Sequence, residues 1–483
     1  MKHCRAYLAA APALLALALA GCGAIGDSDP HAQLPPAPGA GAPLDPAVAA
    51  GAPAQVFEPG VTTPRAWWTA FGCDSLDALV GEALAHNNDL AAADAALRAA
   101  EASAKAAGSA LVPSVDVGYT AQRARTAASL APPVTDASQL LYSLHTAQVT
   151  VSYPVDLFGG LHARRRSAVA AAKVAQAHLL AARQSVAANL VVALVGLTAV
   201  EDQASATRAM IASGQEALGF LRQRLRLGDA GDADVTAQEA ALASMEGQLP
   251  ALDRAAAHQR AVIAALLGRA PGSAMPALPT FACFAVPGHL PVAFPADVVR
   301  YRPDVMAAAA TVEGAAADAH AAVAARFPSL TLSATGGGTA QALGDMFDSP
   351  NLFWSVVGGI TAPLFHSGAL RHQQDAAIAM FDQSKAEYRA TVLQAFVDVS
   401  DALQGLHDDA ATLDAAQRGE AAAQQSYGFA VRQQKLGEVG ALALLNAQAA
   451  LDQARSQTIA ARSARLVDTV ALFQANGAQP SLP

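Results

Sequence analysis

Aromatic side chains make up only 5% of the 483 residues, cysteines number 4, and 31 cationic residues face 40 acidic ones. Each scarcity excludes something. With so few rings, nearly half of the 53% hydrophobic content is alanine, the smallest side chain that keeps full helix propensity; it suits long helices packed side by side better than a thick globular core. The formal charge is −9, and losing Lys2 and Arg5 with a targeting segment would take it to about −11. That balance argues against nucleic acid as a partner, and no basic stripe with interleaved aromatics is present. Arg164-Arg165-Arg166 is the one dense cationic cluster; it reads either as a solvated helix face or as a contact for lipid phosphates. Beyond the first residues, no run of 18 or more uncharged apolar residues resembles a spanning helix. The nearest, Leu190 to Val200, sits inside a longer amphipathic pattern, so any membrane crossing must be made by strands.

Catalytic signatures are missing as well. There is no Walker-type phosphate loop, no His-Glu-x-x-His pair and no nucleophile elbow, so no catalytic residue, metal or cofactor is expected and the chain reads as a non-enzyme. Gly336-Gly337-Gly338 meets no helix start and reads as a flexible strand end. His366 and His372 lie six apart, off the i, i+4 spacing of a helical metal pair, and take turn and surface roles.

The start of the chain is more informative. Lys2 and Arg5 precede an apolar run from Ala6 to Ala20 that ends in Leu19-Ala20-Gly21-Cys22. Residues 1–21 thus read as a lipoprotein signal peptide, with the Cys22 thiol left free to accept a diacylglyceryl group. Gly23 rather than Asp follows, which favours sorting to the outer membrane. Residues 22–64 are rich in Pro, Gly and Ala without usable periodicity, the composition of an extended lipidated tether. Two cysteines remain in the body, Cys73 and Cys283; a disulfide between them and two separate buried thiols are both open.

The rest of the chain repeats. In the first half, 65–268, Leu76, Leu79, Val80, Ala83 and Leu84 mark one helical face, and helical patterning continues to Leu111 before Pro113 ends it. Strands follow near 114–122 and 145–155, where Val115, Val117 and Tyr119, then Val149, Val151 and Tyr153, alternate with polar or small residues. Tyr153 to Gly160, with Pro154, Phe158 and Gly159, reads as a strand-to-helix turn. No proline then occurs before about Leu227, and one helix over that stretch would span roughly 100 Å. It should end at Leu227-Gly228, and a returning helix, started by Asp232 or Asp234, should reach Gly268. A Pro-rich connector, 269–295, leads to the second half, 296–477, with strands near 329–338 and 352–361. Its turn at Thr361 to Gly368 carries Pro363 and Phe365, and a second long helix ends at Leu436-Gly437. Residues 478–483 form a short tail. Register kept across helices, strands and turns makes this a true tandem duplication.

Strands of this length cross a bilayer with tilt, but four cannot close a barrel, and open edges cannot face lipid. Three chains would supply about twelve strands and an open channel. The fold class expected is therefore mainly α with a transmembrane β-barrel: two helix-strand-strand-helix repeats per chain, and a trimer joining a 12-stranded barrel to a long helical barrel.

The lipobox, Trp67-Trp68 before Phe71, Arg302-Pro303-Asp304, Phe327-Pro328-Ser329-Leu330-Thr331-Leu332 and Pro363-Leu364-Phe365 resemble the TolC-like outer membrane efflux proteins, lipoprotein (NodT-type) branch. The resemblance covers Cys22 to about Gly477. It implies a homotrimer in outer membrane lipid with a periplasmic helical tunnel, partnered by a periplasmic adaptor (membrane fusion) protein and an inner-membrane pump, usually of the resistance-nodulation-division class. It implies no cofactor beyond the lipid on Cys22, and a passive exit duct for small molecules. A pore-less structural coiled-coil envelope lipoprotein, or the exit duct of a type I protein secretion system, are the alternatives. By the same resemblance the adaptor-contacting tips are Leu227, Gly228, Asp229, Gly231 and Asp232, with Leu436, Gly437, Glu438 and Gly440; Leu442 and Asn446 form the periplasmic gate. Pro154, Phe158, Gly159 and Gly160, with Pro363, Phe365 and Gly368, become the handovers from barrel to tunnel, each Phe wedging between neighbouring elements. This chain departs from the family pattern at Asn446, often acidic in relatives, at Val439, often basic, and at His366-Ser367-Gly368.

Cys22→Ala is expected to abolish acylation; metabolic labelling with a radioactive fatty acid checks it, and undiminished label on the variant would disprove the anchor.

Overall fold

The computed structural model describes residues 47–48, 54–125, 127, 141–228, 230–292, 298, 301–436 and 438–477. The expected signal peptide 1–21, Cys22, most of the tether, Asp229, Gly437, the end of the connector and the tail 478–483 lie outside them. In chain order the elements are β1 (Ala47–Val48), β2 (Gln55–Pro59), α1 (Asp74–His86), α2 (Asn88–Ser109), β3 (Ser114–Arg125), β4 (Leu141–Val155), α3 (Gly160–Arg226), α4 (Asp232–Glu246), α5 (Leu249–Leu266), β5 (His289–Val292), α6 (Pro303–Ala324), β6 (Ser329–Ala340), β7 (Leu352–Thr361), α7 (Ala369–Leu436) and α8 (Ala441–Asn476). The described residues fall into two compact units, one of 98–174 and 308–388, the other of 47–97, 175–307 and 389–477.

The first unit holds a four-stranded antiparallel sheet in the order β3-β4-β6-β7. Its register turns the sequence alternation into a two-faced surface. Val117 pairs with Val149, Val149 with Gly336, and Gly336 with Trp354; cross-strand partners point to the same side. One face thus collects Val115, Val117, Tyr119, Val149, Val151, Leu330, Leu332, Trp354, Val356 and Ile360, while Asp116, Thr120, Gln148, Thr150, Thr331, Ser333 and Ser355 take the other. Val117, Trp354, Val356 and Ile360 are each more than 70% exposed, an arrangement that water alone would not favour. Three of the strands outrun their expected bounds because the β3-β4 and β4-β6 ladders continue past them. The triple glycine is not a flexible strand end: β6 continues to Ala340, and a Cβ on Gly337 would fall 2.1 Å from the Ala147 carbonyl oxygen. Close backbone approach, rather than looseness, requires glycine there.

The second unit is helical, with a small sheet of order β1-β2-β5. The end of the expected tether is not extended coil, since Val56 to Pro59 pair in parallel with His289 to Val292. Cys73 and Cys283 are joined as a disulfide. Trp67 is 2% exposed and stacks on Phe473 at 5.4 Å, while the Trp68 indole donates to Asp77 Oδ1 at 2.8 Å, so both tryptophans fix the short helical turn after β2 to α8 and α1. Two expected helices are each divided. Asn87 interrupts the first: its Oδ1 accepts from the Asp89 and Leu90 amides and caps α2, while its Nδ2 reaches the Leu266 carbonyl at 3.0 Å. The returning helix divides at Gly247-Gln248, because Pro250 sits in the first turn of α5 and cannot donate into a continuing helix. α3 contains an 18-residue window of mean hydropathy 1.6, enough by length and composition to cross a membrane; half of it is buried within the chain, as in an amphipathic packing helix.

Polar groups lock the core. Arg302, 8% exposed, bonds Asp304 and Asp398, each at 2.7 Å, and the Ala475 carbonyl. Burial opposes charge on Asp304, but Arg302 outweighs it and holds that carboxyl below its ordinary range. Arg465, fully buried, donates from Nε to Gln55 at 2.9 Å, tying α8 to β2. Nearby, burial first, then the charge of Asp468 and a hydrogen bond with it, push Asp409 up to about 6; the positive charge of Arg465 offsets part of this and Asp408 adds to it. Gly405 leaves room for the pair, as a Cβ there would lie 2.5 Å from Asp468 Oδ2. The folded chain binds this proton more tightly than the unfolded chain, so its contribution is full below about pH 4 and is lost as pH rises through about 6. Asp409→Asn is expected to remove the fall in melting temperature between about pH 5 and 7 that the parent shows, measured by circular dichroism on detergent-solubilised protein.

Candidate functional site

Two places carry the expected architecture, the strand-to-helix turns and the turns between long helices. At the first handover β4 pairs through Val155 with Leu330, and Asp156 then caps α3. Its carboxylate accepts from the Leu161 and His162 amides at 3.1 and 2.9 Å and meets His162 Nδ1 at 2.5 Å. Burial works against the charge, yet these bonds keep the Asp156 carboxyl below its ordinary value. Gly159 takes φ 74°, Gly160 opens the helix, and Phe158 stacks on Phe327 with centroids 4.8 Å apart. Positive φ at the bend is what glycine supplies.

The second handover follows the same path with different chemistry. Gly368 takes φ 83°, matching Gly159, and Ser367 beside it sits at φ 50°, the one positive φ outside glycine among the described residues. Phe365 does not wedge as expected: it is 85% exposed and Leu364 is 95% exposed. Position explains it. Phe158 meets Phe327 because β4 has β6 beside it, whereas β7 is an edge strand. A cavity of about 600 Å³ at the junction is lined by Asp156, Arg164, Phe327, Leu364 and Phe365 among others, so one member of the cationic cluster faces this space.

The helix turns are built by small local devices. Gly228 takes φ 81° after α3, Gly231 precedes α4, and Asp234 Oδ2 accepts from the Gly231 amide at 3.3 Å, using that carboxylate as a cap. Leu218, Leu221 and Val235 close one hairpin, and Arg222 pairs with Glu239 at 2.6 Å. Ala430, Leu444 and Ala447 close the other, with Gly440 capping α8 and the Glu438 amide donating to Gln433. Buried Gln238 bonds the Gly214 carbonyl within the first hairpin, and buried Gln448 of α8 bonds the Met210 carbonyl of α3, joining the second hairpin to the first. Leu227 and Leu436, first residues of the duplicated turns, are 72% and 74% exposed. Leu442, 66% exposed, and Asn446, also exposed, lie one turn apart on α8, away from Leu444 and Gln448, which pack inward. Reading the sequence missed Asn87, Pro250 and the buried glutamines; Pro250, a proline within an expected helix, was the one visible signal.

An amphipathic sheet whose two edges have no partner among the described residues, continued by helices of 67 and 68 residues, defines a subunit of a shared membrane channel. The sequence profile of the family described as outer membrane efflux protein matches residues 79–269 and 296–478. The chain is 29% identical over 441 residues to the pyoverdine export outer membrane protein OpmQ of Pseudomonas aeruginosa, covering 90% of this chain and 92% of that one. It is also 29% identical over 468 residues to the toluene efflux pump outer membrane protein TtgF of Pseudomonas putida, covering 96% and 95%. Among solved structures it superposes on the outer-membrane channel OprN with a TM-score of 0.81 at 26% identity, over 86% of this chain and 93% of that one. The fold is shared with VceC of Vibrio cholerae, TM-score 0.77 over 86% and 98%. The chain belongs to the outer membrane efflux protein family, a family of efflux channels rather than enzymes.

Gly228→Val places a β-branched side chain at positive φ, a strain of roughly 1–3 kcal/mol. On the sequence expectation that this turn meets a periplasmic adaptor, it is expected to lower adaptor crosslinking about tenfold, read on gels of crosslinked envelopes; undiminished crosslinking would count against that expectation.

Proposed function

We propose that this chain is the passive outer-membrane exit duct of a tripartite efflux assembly, acting as a homotrimer anchored by lipid on Cys22. The observation that carries the reading is the two-faced sheet. Its apolar face suits lipid and its polar face suits a water-filled lumen, while β3 and β7 leave backbone groups that lipid cannot satisfy. Copies of the chain are the simplest source of the missing bonds.

The duplicated leucines at the helix turns, Leu227 and Leu436, give a periplasmic adaptor apolar knobs to grip, and an inner-membrane pump of the resistance-nodulation-division class supplies the energy. Leu442 and Asn446 project from α8 as rings in a trimer and narrow the lumen. An amide ring holds cations less strongly than a carboxylate ring would. Cargo is small organic molecules: relatives are named for pyoverdine export, toluene efflux and fusaric acid resistance, chemistries too different for one selective duct. The pump therefore selects and the channel conducts.

Purified trimer in planar bilayers is expected to conduct ions, and Leu442→Ala with Asn446→Ala to raise the open conductance or open probability about twofold or more. A pure trimer silent even with both substitutions would return the chain to the pore-less structural reading.

A further inference from the structure

Arg164-Arg165-Arg166 is a cationic cluster that the exit duct leaves without a role, and the fold sends its three members in different directions. Arg165 turns toward α2, where a Cβ on Gly108 would lie 3.7 Å from its Cδ and Nε. Arg166 lies near α6: burial first, then the charge of Arg166, holds the His320 imidazole below its ordinary range. Arg164 alone lines the cavity of about 600 Å³ at the junction, and it makes no hydrogen bond or ion pair among the described residues. Acidic residues outnumber basic ones by 40 to 31 in this chain, so its guanidinium does not lack a carboxylate for want of acids.

The register shows which side of the sheet this cavity belongs to. Its sheet wall takes in Pro154, Ser329, Thr331 and Thr361. These share the polar side, since Thr331 pairs with Pro154 and Ser329 with Thr361. Leu332 and Ile360, their neighbours on the apolar side, are absent from the wall, and Val155 and Leu330 reach it where they end the β4-β6 ladder. The one carboxylate in the wall is already engaged. Asp156 Oδ1 accepts from the Leu161 amide and Oδ2 from His162, and Arg164 is not among the groups that shift it. Because Asp156 also takes these first amides of α3, attraction for an anion falls to the Arg164 side chain and not to the helix start. Beside it the Phe158 ring, 38% exposed and stacked on Phe327, adds an apolar surface.

Resting on the reading of the polar side as the lumen wall, we propose that this cavity binds aromatic organic anions, with Arg164 taking the carboxylate and the stacked Phe158 and Phe327 rings taking the aromatic body. The volume suits a ligand of drug size. A planar guanidinium receives a carboxylate through two parallel N–H bonds, and the Thr331 and Thr361 hydroxyls can bond further polar substituents. Lipid phosphates are excluded as occupants, because lipid meets the apolar side. A trimer carries the site three times, at the level where the helices open into the barrel. It is a resting place for anionic cargo and not a trap: a duct must release what it holds, and one exposed cation supports a dissociation constant on the order of a millimolar.

The test is fluorine NMR on the purified full-length protein in a neutral detergent, which needs neither a bilayer nor a pump. Line broadening of para-fluorobenzoate is expected to exceed that of para-fluorobenzamide, its neutral analogue, by about fivefold or more. Arg164→Gln should remove the difference, Arg164→Lys keep part of it, and Arg165→Gln leave it unchanged. Thr331→Asp, which sets a carboxylate in the wall without touching the arginine, is expected to abolish the benzoate effect, and it decides the matter if native gels show that Arg164→Gln assembles poorly. Phosphatidylglycerol added to the micelles should not displace the benzoate; displacement would give Arg164 to lipid and overturn the proposal. Equal broadening of both probes, or a benzoate effect that survives Arg164→Gln and Thr331→Asp, overturns the site and leaves the duct standing. A channel silent in planar bilayers while the Arg164-dependent effect persists sinks the duct alone.

Discussion

A backbone amide or carbonyl in hydrocarbon has no water to bond, and each one left unpaired costs several kcal/mol. Everything distinctive about this chain follows from that constraint. Its four strands satisfy one another internally and leave two edges, so a single copy cannot rest in a membrane alone. The apolar face that makes the sheet suitable for lipid also makes it unsuitable for water. The sheet is thus built to be completed by strands from other copies.

The handovers at Gly159 and Gly368 are where a period of two gives way to a period of 3.6. Each needs a residue that ends the strand ladder, one that bends the chain and one that caps the new helix. Glycine bends the chain in both copies, but the expected strand-ending role of proline does not hold: β4 pairs through Pro154 to Val155, and β7 stops at Thr361, before Pro363. Capping differs: Asp156 holds the first helix start through its carboxylate, whereas Phe365 stands at the matching place in the second. The second turn keeps its path without that cap, with Ser367 in left-handed backbone, and its exposed Leu364 and Phe365 fit a surface that neighbours complete.

The helical unit is held by a different balance. Alanine-rich helices bury little area per residue, so the stabilising contacts concentrate where larger side chains gather, around Trp67, Phe71 and Phe473. Buried polar groups fix how these helices meet. Arg302 joins α6, α7 and α8, and Arg465 joins α8 to β2; such bonds add geometric specificity more than net stability, since burying the charges offsets much of the attraction. The carboxyl pair Asp409 and Asp468 is the counterexample within the same core, a contact that eases when one member is protonated.

The sequence by itself determined the element types, the duplication and most boundaries, because alternation, helical spacing and the proline and glycine stops are local properties of neighbouring residues. β7 kept its expected bounds and α3 fell one residue short of Leu227. The long-range pairings were decided only by tertiary structure. Asn87 reaching Leu266, β2 lying parallel to β5, Cys73 meeting Cys283 and Arg302 holding Asp398 join residues far apart in the chain, and no periodicity encodes such choices. The same reason explains the two divided helices. Asn87 and Pro250 sit in segments whose local pattern is helical, and the breaks persist because the fold uses the freed groups and the changed direction elsewhere.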